Sequence, residues 1–215
     1  MPPKPSANPR KQPKQERSQA TVEAILTATA HILTENGYDQ LTTNRVAERA
    51  GVSIGSLYQY FLNKEALIFA LAEHHANEMM QLAQHHLKES SVGEASLQEN
   101  RTIPEVLRQI VKAAIAAHAV NPKLHRVLHE QIPHSDVMRR LDEAKMENML
   151  RSFLAQRSDQ LQPKNLELTV FMVERTIRAL IHGAMMDRPE LFNTEEFEQE
   201  LIAMLSAYLV KGQNG

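Results

Sequence analysis

The sequence contains no cysteine and no tryptophan, and only 7 of its 215 residues are glycine. Without cysteine, a disulfide framework, an iron–sulfur cluster, a zinc ribbon and a cysteine nucleophile are all excluded. No stretch approaches the roughly 18 apolar residues that cross a bilayer, and the first residues lack the apolar core of a signal peptide. Glycine-rich phosphate loops and nucleophile elbows are also missing. We therefore expect a soluble intracellular protein that is not an enzyme and has no contact with a membrane.

Hydrophobic residues make up 42% of the chain and charged residues 23%, a composition that suits one or two folded domains. The net charge of −2 hides an uneven distribution. Residues 1–64 hold eight Lys or Arg against five Asp or Glu, whereas the remaining residues hold 16 against 21. A basic first part joined to an acidic second part is typical of a nucleic-acid-binding module carried by another domain.

Five of the ten prolines lie within the first 13 residues, among basic residues and with nothing apolar to bury between them. This composition predicts a disordered basic arm over residues 1–16. Such an arm either contacts phosphates or is a solvated terminus without a role, and the sequence alone leaves both interpretations open.

After the arm, apolar residues recur at spacings of three and four, which predicts helices. No run of alternating or β-branched residues predicts a strand, so the fold class is all-α. The predicted helices run from Thr21 to about Asn36, over residues 43–50 and 54–61, from Lys64 to about Glu89, from Pro104 to about residue 120, from Lys123 to about Gln131, from Ser135 to about Arg157, from Lys164 to about Arg188, and from Thr194 to about Val210.

Residues 42–61, TTNRVAERAGVSIGSLYQYF, have the spacing of a helix-turn-helix. Ala47 is small where the two helices would cross, and Gly51 can adopt the left-handed conformation of the turn. The second helix would then present hydroxyls, an amide and a glycine suited to base edges and phosphates in a major groove. These outer residues are Ser53, Ile54, Gly55, Ser56, Tyr58, Gln59 and Tyr60. Spacing alone leaves open that the two tyrosines are packing residues.

From about Arg17 to Glu73 the chain closely resembles the TetR family of bacterial transcriptional repressors. Two patterns carry the resemblance: Gly-x-Leu-Tyr-x-Tyr-Phe at Gly55–Phe61 and Asn-Lys-Glu-x-Leu at Asn63–Leu67. The resemblance implies a helix-turn-helix DNA-binding domain over residues 17–75 and a helical-bundle domain for ligand binding and dimerisation over residues 76–215. It also implies a ligand-responsive homodimer in the bacterial cytoplasm, released from double-stranded operator DNA by a small-molecule effector.

The resemblance further implies roles for individual residues near the DNA. Lys64 would bind phosphate from the start of the long helix, which agrees with the anion-binding character of free backbone amides at a helix N-terminus. Thr43 and Asn44 would lie near the DNA backbone, and Tyr58 and Tyr60 would contact phosphate. The residues that would face bases are Ser53, Ile54, Gly55, Ser56 and Gln59.

Four polar or soft residues on otherwise apolar helical stripes are candidates for lining the effector pocket: His118, His125, His129 and Met172. His118 continues a row of apolar residues, His125 and His129 stand one helical turn apart, and a methionine provides an adaptable wall. A histidine on such a stripe can equally be a hydrogen-bonded core or edge residue.

The last two predicted helices carry wide apolar faces, which indicates a homodimer interface: Phe171, Ile177, Ile181, Leu201, Leu205 and Tyr208. A two-fold dimer would place two recognition helices about 34–36 Å apart, so we expect a palindromic operator. Each of these residues could instead belong to the core of a single chain.

Two other classes of function stay open. An activator or architectural DNA binder would share the first 75 residues without release by a small molecule. The second class is a helical metal-binding protein, in which His125 and His129 could hold one ion with Glu130 or the His85–His86 pair nearby. No His-Glu-x-x-His motif and no third ligand at a fixed spacing supports a metal site, so we expect neither metal nor cofactor.

Overall fold

The computed structural model describes residues 16–89, 101–131, 147–148 and 150–210. Regular structure in these ranges is helical, apart from one isolated antiparallel bridge between Leu161 and Val210. The prediction of an all-α fold is thereby confirmed. No helix within the described ranges has the length and apolar character needed to cross a membrane. Two predicted segments lie mostly outside the described residues. They are the basic arm over residues 1–16, of which only the last residue is described, and the helix predicted from Ser135.

The first helix begins at Glu16, five residues before its predicted start at Thr21, and the other described helix bounds lie within two residues of the predicted ones. A 3₁₀ turn, Tyr38–Gln40, separates the first two helices, and residues 150–155 are also helical. The named helices are α1 (Glu16–Asn36), α2 (Thr43–Arg49), α3 (Ile54–Tyr60), α4 (Lys64–Glu89), α5 (Ile103–His118), α6 (Pro122–Gln131), α7 (Leu166–Asp187) and α8 (Glu195–Leu209).

Polar side chains fix where several helices begin. Asn63 Oδ1 accepts a hydrogen bond from the Ala66 amide at 2.8 Å, and Asn165 Oδ1 accepts one from the Leu168 amide at 3.0 Å. Each of these caps satisfies one of the backbone donors that the first turn of a helix leaves without a partner.

The chain divides into two compact units. The first comprises Met1–Ala76 and Lys123–Arg139, and the second comprises Asn77–Pro122 and Arg140–Gly215. The first unit therefore combines α1, α2, α3, the beginning of α4 and most of α6. Its inclusion of α6 was not foreseen from the sequence, because the expected division placed a single boundary after residue 75.

The first unit has its own apolar core, built from the inward faces of α1, α2, α3 and the start of α4. Burying a large aliphatic or aromatic side chain contributes about 1.5–3 kcal/mol, which makes this core the main source of the unit's stability. Its fully or almost fully buried members include Ile25, Leu33, Val46, Leu57, Phe61, Leu67 and Leu71.

The second unit is held by a larger cluster from α5, α7, α8 and the helical residues around position 152. At its edge, Arg108 and Lys112 of α5 lie 3.8 and 3.7 Å from the Glu198 carboxylate of α8. Such partly exposed pairs add little to stability, so apolar packing dominates here as well. The buried members include Leu107, Ile110, Val111, Leu150, Leu154, Val173, Ile177, Ile181, Leu201, Leu205 and Leu209.

Candidate nucleic-acid interface

The turn between α2 and α3 is built on Gly51. Its φ of +67° lies in the left-handed region that residues with a Cβ rarely adopt. The Gly51 amide donates to the Glu48 carbonyl at 3.1 Å, and the Val52 amide donates to the Ala47 carbonyl at 3.0 Å. These bonds close the end of α2 and direct the chain into α3, as a helix-turn-helix requires.

Helix α3 is anchored on one side and open on the other. Leu57 is fully or almost fully buried, as are Val46 and Ala47 of α2. The opposite side of α3 is exposed: Tyr58 retains 43% of its accessible surface, and Ile54 is similarly open. The α3-face, as we call it, consists of Ser53, Ile54, Gly55, Ser56, Tyr58 and Gln59.

Two serines at the start of α3 hold each other in place. Ser53 Oγ accepts a hydrogen bond from the Ser56 amide at 3.0 Å and lies 2.8 Å from Ser56 Oγ. Ser53 is therefore the N-cap of α3 as well as a member of its exposed face. The pair fixes two hydroxyl groups beside the first turn of the helix.

Thr43 and Tyr58 connect the beginning of α2 to α3. Thr43 Oγ1 lies 3.1 Å from the Tyr58 hydroxyl, within hydrogen-bonding distance. Both hydroxyls were predicted to lie near the DNA backbone, and the structure brings them to the same place. Asn44 is exposed next to Thr43 in the first turn of α2.

Tyr60 requires a correction. It was expected on the outer side of α3, but only 9% of its surface is exposed, and it belongs to the buried side of the helix. The reason is helical geometry: Tyr60 follows the fully buried Leu57 by three residues, so both side chains share one face. The packing interpretation that the sequence left open is the one that the burial supports.

Lys64 is positioned by a residue that the sequence analysis did not single out. Its Nζ donates to the Tyr38 carbonyl at 2.5 Å and lies 3.5 Å from the centroid of the Tyr38 ring. The carbonyl and the ring face are both neutral partners, and together they hold the ammonium group at the start of α4.

Arg45 is a second cation that the sequence analysis missed. Its guanidinium donates to the Gln40 carbonyl at 2.9 Å and to Asn36 Oδ1 at 3.4 Å, which are neutral groups. Arg49, by contrast, pairs with Glu35 at 2.9 Å, and this hydrogen bond lowers the pKa of the glutamate. Both arginines were visible in the sequence, but helical spacing does not reveal which of them pairs with a carboxylate.

The four expected pocket residues do not share one unit: His118 and Met172 belong to the second, His125 and His129 to the first. Met172 also needs a correction, because it is 44% exposed on α7 rather than enclosed.

His118 Nδ1 lies 2.8 Å from the Ala114 carbonyl, which can only accept a hydrogen bond. Burial is the main cause that lowers the pKa of His118 to about 4, so its ring is neutral at neutral pH.

The expected interface residues also separate into two groups. Ile177, Ile181, Leu201 and Leu205 are buried inside the second unit's own core, so their assignment to a dimer surface is corrected. Phe171 and Tyr208 remain exposed, together with four apolar side chains that the sequence analysis did not select. These additional residues are Leu168, Met172, Leu180 and Met204.

Comparisons with known proteins identify the class of this fold and site. Residues 25–71 match the family described as "Bacterial regulatory proteins, tetR family", and residues 102–209 match "Tetracyclin repressor-like, C-terminal domain". The chain therefore belongs to the TetR family of bacterial regulatory proteins.

Individual relatives agree over limited stretches. The fatty acid metabolism regulator protein of Bacillus subtilis is 30% identical over 73 residues, 34% of this chain and 38% of that protein. The tetracycline repressor protein class C of Escherichia coli is 47% identical over 51 residues, 24% of this chain and 23% of that repressor. The chain thus spans less than half the length of these curated relatives.

A solved structure extends the likeness to the whole fold. SmeT, the repressor of the Stenotrophomonas maltophilia multidrug efflux pump SmeDEF, superimposes with a TM-score of 0.63 at 23% identity, covering 92% of this chain and 94% of that chain. SmeT has also been solved in complex with triclosan.

Proposed function

We propose that the chain is a transcriptional repressor that acts in the bacterial cytoplasm and binds double-stranded operator DNA through the α3-face. The observation that carries the proposal is the geometry of α3, which is anchored by Leu57 and exposes a row of hydroxyl, amide and glycine positions on its other side. A helix presented in this way fits the major groove, where base edges carry a distinct donor and acceptor pattern. Catalysis forms no part of this role.

Within this proposal the residues near the DNA make two kinds of contact. Gln59 and the glycine at position 55 face bases, since an amide can pair with a base edge and a glycine permits close approach. Tyr58, Thr43 and Lys64 contact phosphate and set the position of α3 along the duplex. Because the groups that accept hydrogen bonds from its guanidinium are neutral, Arg45, which lies beside Asn44, joins the phosphate contacts.

The proposed repressor acts as a homodimer. One helix of seven residues reads only a few base pairs, and a two-fold dimer doubles the contacts at half-sites about 34–36 Å apart. Phe171 is 54% exposed, and Leu168 and Met172 lie three residues before it and one after it on the same helix. Large apolar side chains grouped on a surface mark a protein contact site. We assign the exposed apolar residues of α7 and α8 to the dimer interface.

The proposed effector is a small organic molecule bound by the second unit, by analogy with the triclosan complex of SmeT. Repression would be relieved if the effector favours a dimer whose recognition helices are spaced wrongly for one face of the duplex. A ligand that prefers one state by about 2.7 kcal/mol shifts the ratio of the two states about a hundredfold.

The experiment is selection of binding sites from random duplex DNA by the full chain, followed by affinity measurements on the enriched site. We expect a palindromic site. Gln59→Ala should narrow the difference in affinity between this site and its single-base variants, since a base contact is removed. Tyr58→Phe should weaken binding to all of these sequences to a similar degree.

Substitutions of Lys64 test whether its positive charge contributes to DNA binding. Lys64→Ala should lower the slope of log K against log salt by about one, whereas Lys64→Arg should keep it. Selection that enriches no sequence would contradict the proposal. An enriched site from which no small molecule releases the protein would favour the activator or architectural role instead.

A further inference from the structure

Three imidazole rings meet in the first unit, where α4 contacts α6. His75 Nε2 of α4 lies 3.3 Å from His125 Nδ1 of α6, and the two ring centroids are 5.5 Å apart. The rings of His125 and His129, one helical turn apart, have centroids separated by 4.4 Å. His75 and His125 are 1% and 2% exposed, whereas His129 is exposed. The proposed DNA contacts use none of these three residues.

The contact between His75 and His125 requires one ring nitrogen to donate and the other to accept, and the tautomers of the two rings decide which does so. A hydrogen bond between two neutral imidazoles needs one N–H donor and one bare nitrogen acceptor. When His125 Nδ1 donates to His75 Nε2, the lone pair of His125 Nε2 is directed away from His75. Histidines that bind metals are commonly held in this manner, with the second ring nitrogen donating to a neighbouring group that fixes the tautomer and the ring orientation.

His125 and His129 have the spacing that two ligands on one helix require. Residues four apart lie on the same face, and a ring nitrogen of His125 lies within 4.8 Å of one of His129. Two ligands of a tetrahedral ion with bonds of about 2.0–2.1 Å are about 3.3 Å apart. Because His129 is exposed, we expect a rotation of its side chain to bring the two nitrogens to this separation.

We propose that His125 and His129 bind one divalent transition-metal ion, and that His75 positions His125 for this role. Imidazole donors suit Zn²⁺, Ni²⁺ and Cu²⁺, whereas Mg²⁺ and Ca²⁺ prefer oxygen. On binding, neutral His125 donates its Nε2 lone pair to the ion and keeps its Nδ1–H on His75, while water completes the coordination. Local sequence spacing could not join His75 to this pair, because it lies 50 residues from His125.

The site occupies a contact between two helices of the unit that carries α2 and α3. An ion held by His125 and His129 joins two turns of α6 and fixes the ring that contacts α4. Binding should therefore stabilise this contact, which would be observed as a rise in the melting temperature of the full chain with added Zn²⁺.

The test is titration of the full chain, without DNA, with Zn²⁺ by calorimetry and with Cu²⁺ by electron paramagnetic resonance. We expect one tight ion per chain and two imidazole nitrogens in the Cu²⁺ spectrum. His129→Ala, at an exposed position that should not disturb folding, should remove one nitrogen and lower the affinity at least tenfold. The double variant His85→Ala, His86→Ala removes another histidine pair and should leave the tight site unchanged.

His75 is tested separately as a positioning residue. His75→Leu removes the acceptor for His125 Nδ1–H and should lower metal affinity about 10–100-fold while the Cu²⁺ spectrum keeps two nitrogens. His75→Gln supplies an amide oxygen as acceptor and should recover most of the affinity. The proposal is overturned if no ion binds, or if His129→Ala binds as tightly as the original chain. Since no DNA is present, failure of the operator experiment would not affect this result.

Discussion

Substitution of Gly51, in the turn between α2 and α3, permits a quantitative test, because the effect of its positive φ on stability can be separated from that of steric contacts. A Cβ placed on Gly51 would meet nothing within 4 Å, so Gly51→Ala creates no clash. The φ of +67° remains, and an L-residue in the left-handed region costs about 1–2 kcal/mol. Alanine has less conformational freedom than glycine in the unfolded chain, which offsets about 0.4–1 kcal/mol of this cost. We expect a net loss of about 1 kcal/mol.

The matched control is Gly55→Ala, four residues later in the same unit. A Cβ there would meet only Ser53 Oγ at 3.9 Å, an ordinary contact, and Gly55 has no positive φ. Alanine in a helix is favoured over glycine by about 0.5–1 kcal/mol, so this variant should be slightly more stable. Because position 55 is proposed to approach DNA closely, the same variant should bind operator less tightly.

The assay is urea unfolding of the full chain followed by circular dichroism, with all variants at one protein concentration. With a urea dependence of about 1–3 kcal/mol per molar, Gly51→Ala should lower the midpoint by about 0.3–1 M, and Gly55→Ala should raise it. An alanine at position 51 that is neutral or stabilising would refute the reasoning from backbone conformation.

Three further predictions concern the caps, the half-buried His118 and the apolar surface. Asn63→Ala removes the acceptor for the Ala66 amide and should destabilise the chain by about 1 kcal/mol in thermal unfolding, which Asn63→Asp should largely avoid. His118 is held neutral by its low pKa of about 4, so its contribution is complete above pH 6.5 and is lost as the pH falls towards 4. Between pH 6.5 and pH 4, the free energy of unfolding should therefore fall by about 2–3 kcal/mol less for His118→Gln than for the original chain, as measured by urea unfolding at each pH. Curves of unfolding free energy against pH that run parallel for the two proteins would contradict this role of His118. Phe171→Glu should convert the dimer to a monomer in sedimentation velocity, whereas Leu191→Glu, at another exposed apolar position, should not; a dimer that persists in both variants would place the interface elsewhere.

The fold could be predicted from the sequence because helical spacing, caps and breakers are local signals. The bounds of α2 and α3, the inward position of Leu57 and the turn at Gly51 all follow from residues within about ten positions of one another. Tyr60 shows that even a local signal can be overlooked, since its spacing of three from Leu57 predicts burial.

The features that could not be predicted depend on contacts between distant residues. Tyr38 reaches Lys64 across 26 positions, and His75 reaches His125 across 50. The apolar faces of α7 and α8 were visible in the sequence, but which side of each helix turns towards the unit's own core depends on tertiary packing. Periodicity therefore selected Ile177 and Ile181, which are buried, together with Phe171, which is exposed.

The reading of operator DNA by the α3-face is the property on which the proposed function depends. Its most direct test is fluorescence anisotropy of the full chain on the DNA immediately upstream of its own gene, compared with scrambled DNA at about 0.05 and 0.2 M salt. We expect tight binding to the upstream sequence, weaker binding to the scrambled one, and a steep loss of affinity at the higher salt concentration. Equal, weak binding to both sequences, with no loss on Tyr58→Phe or Lys64→Ala, would contradict it.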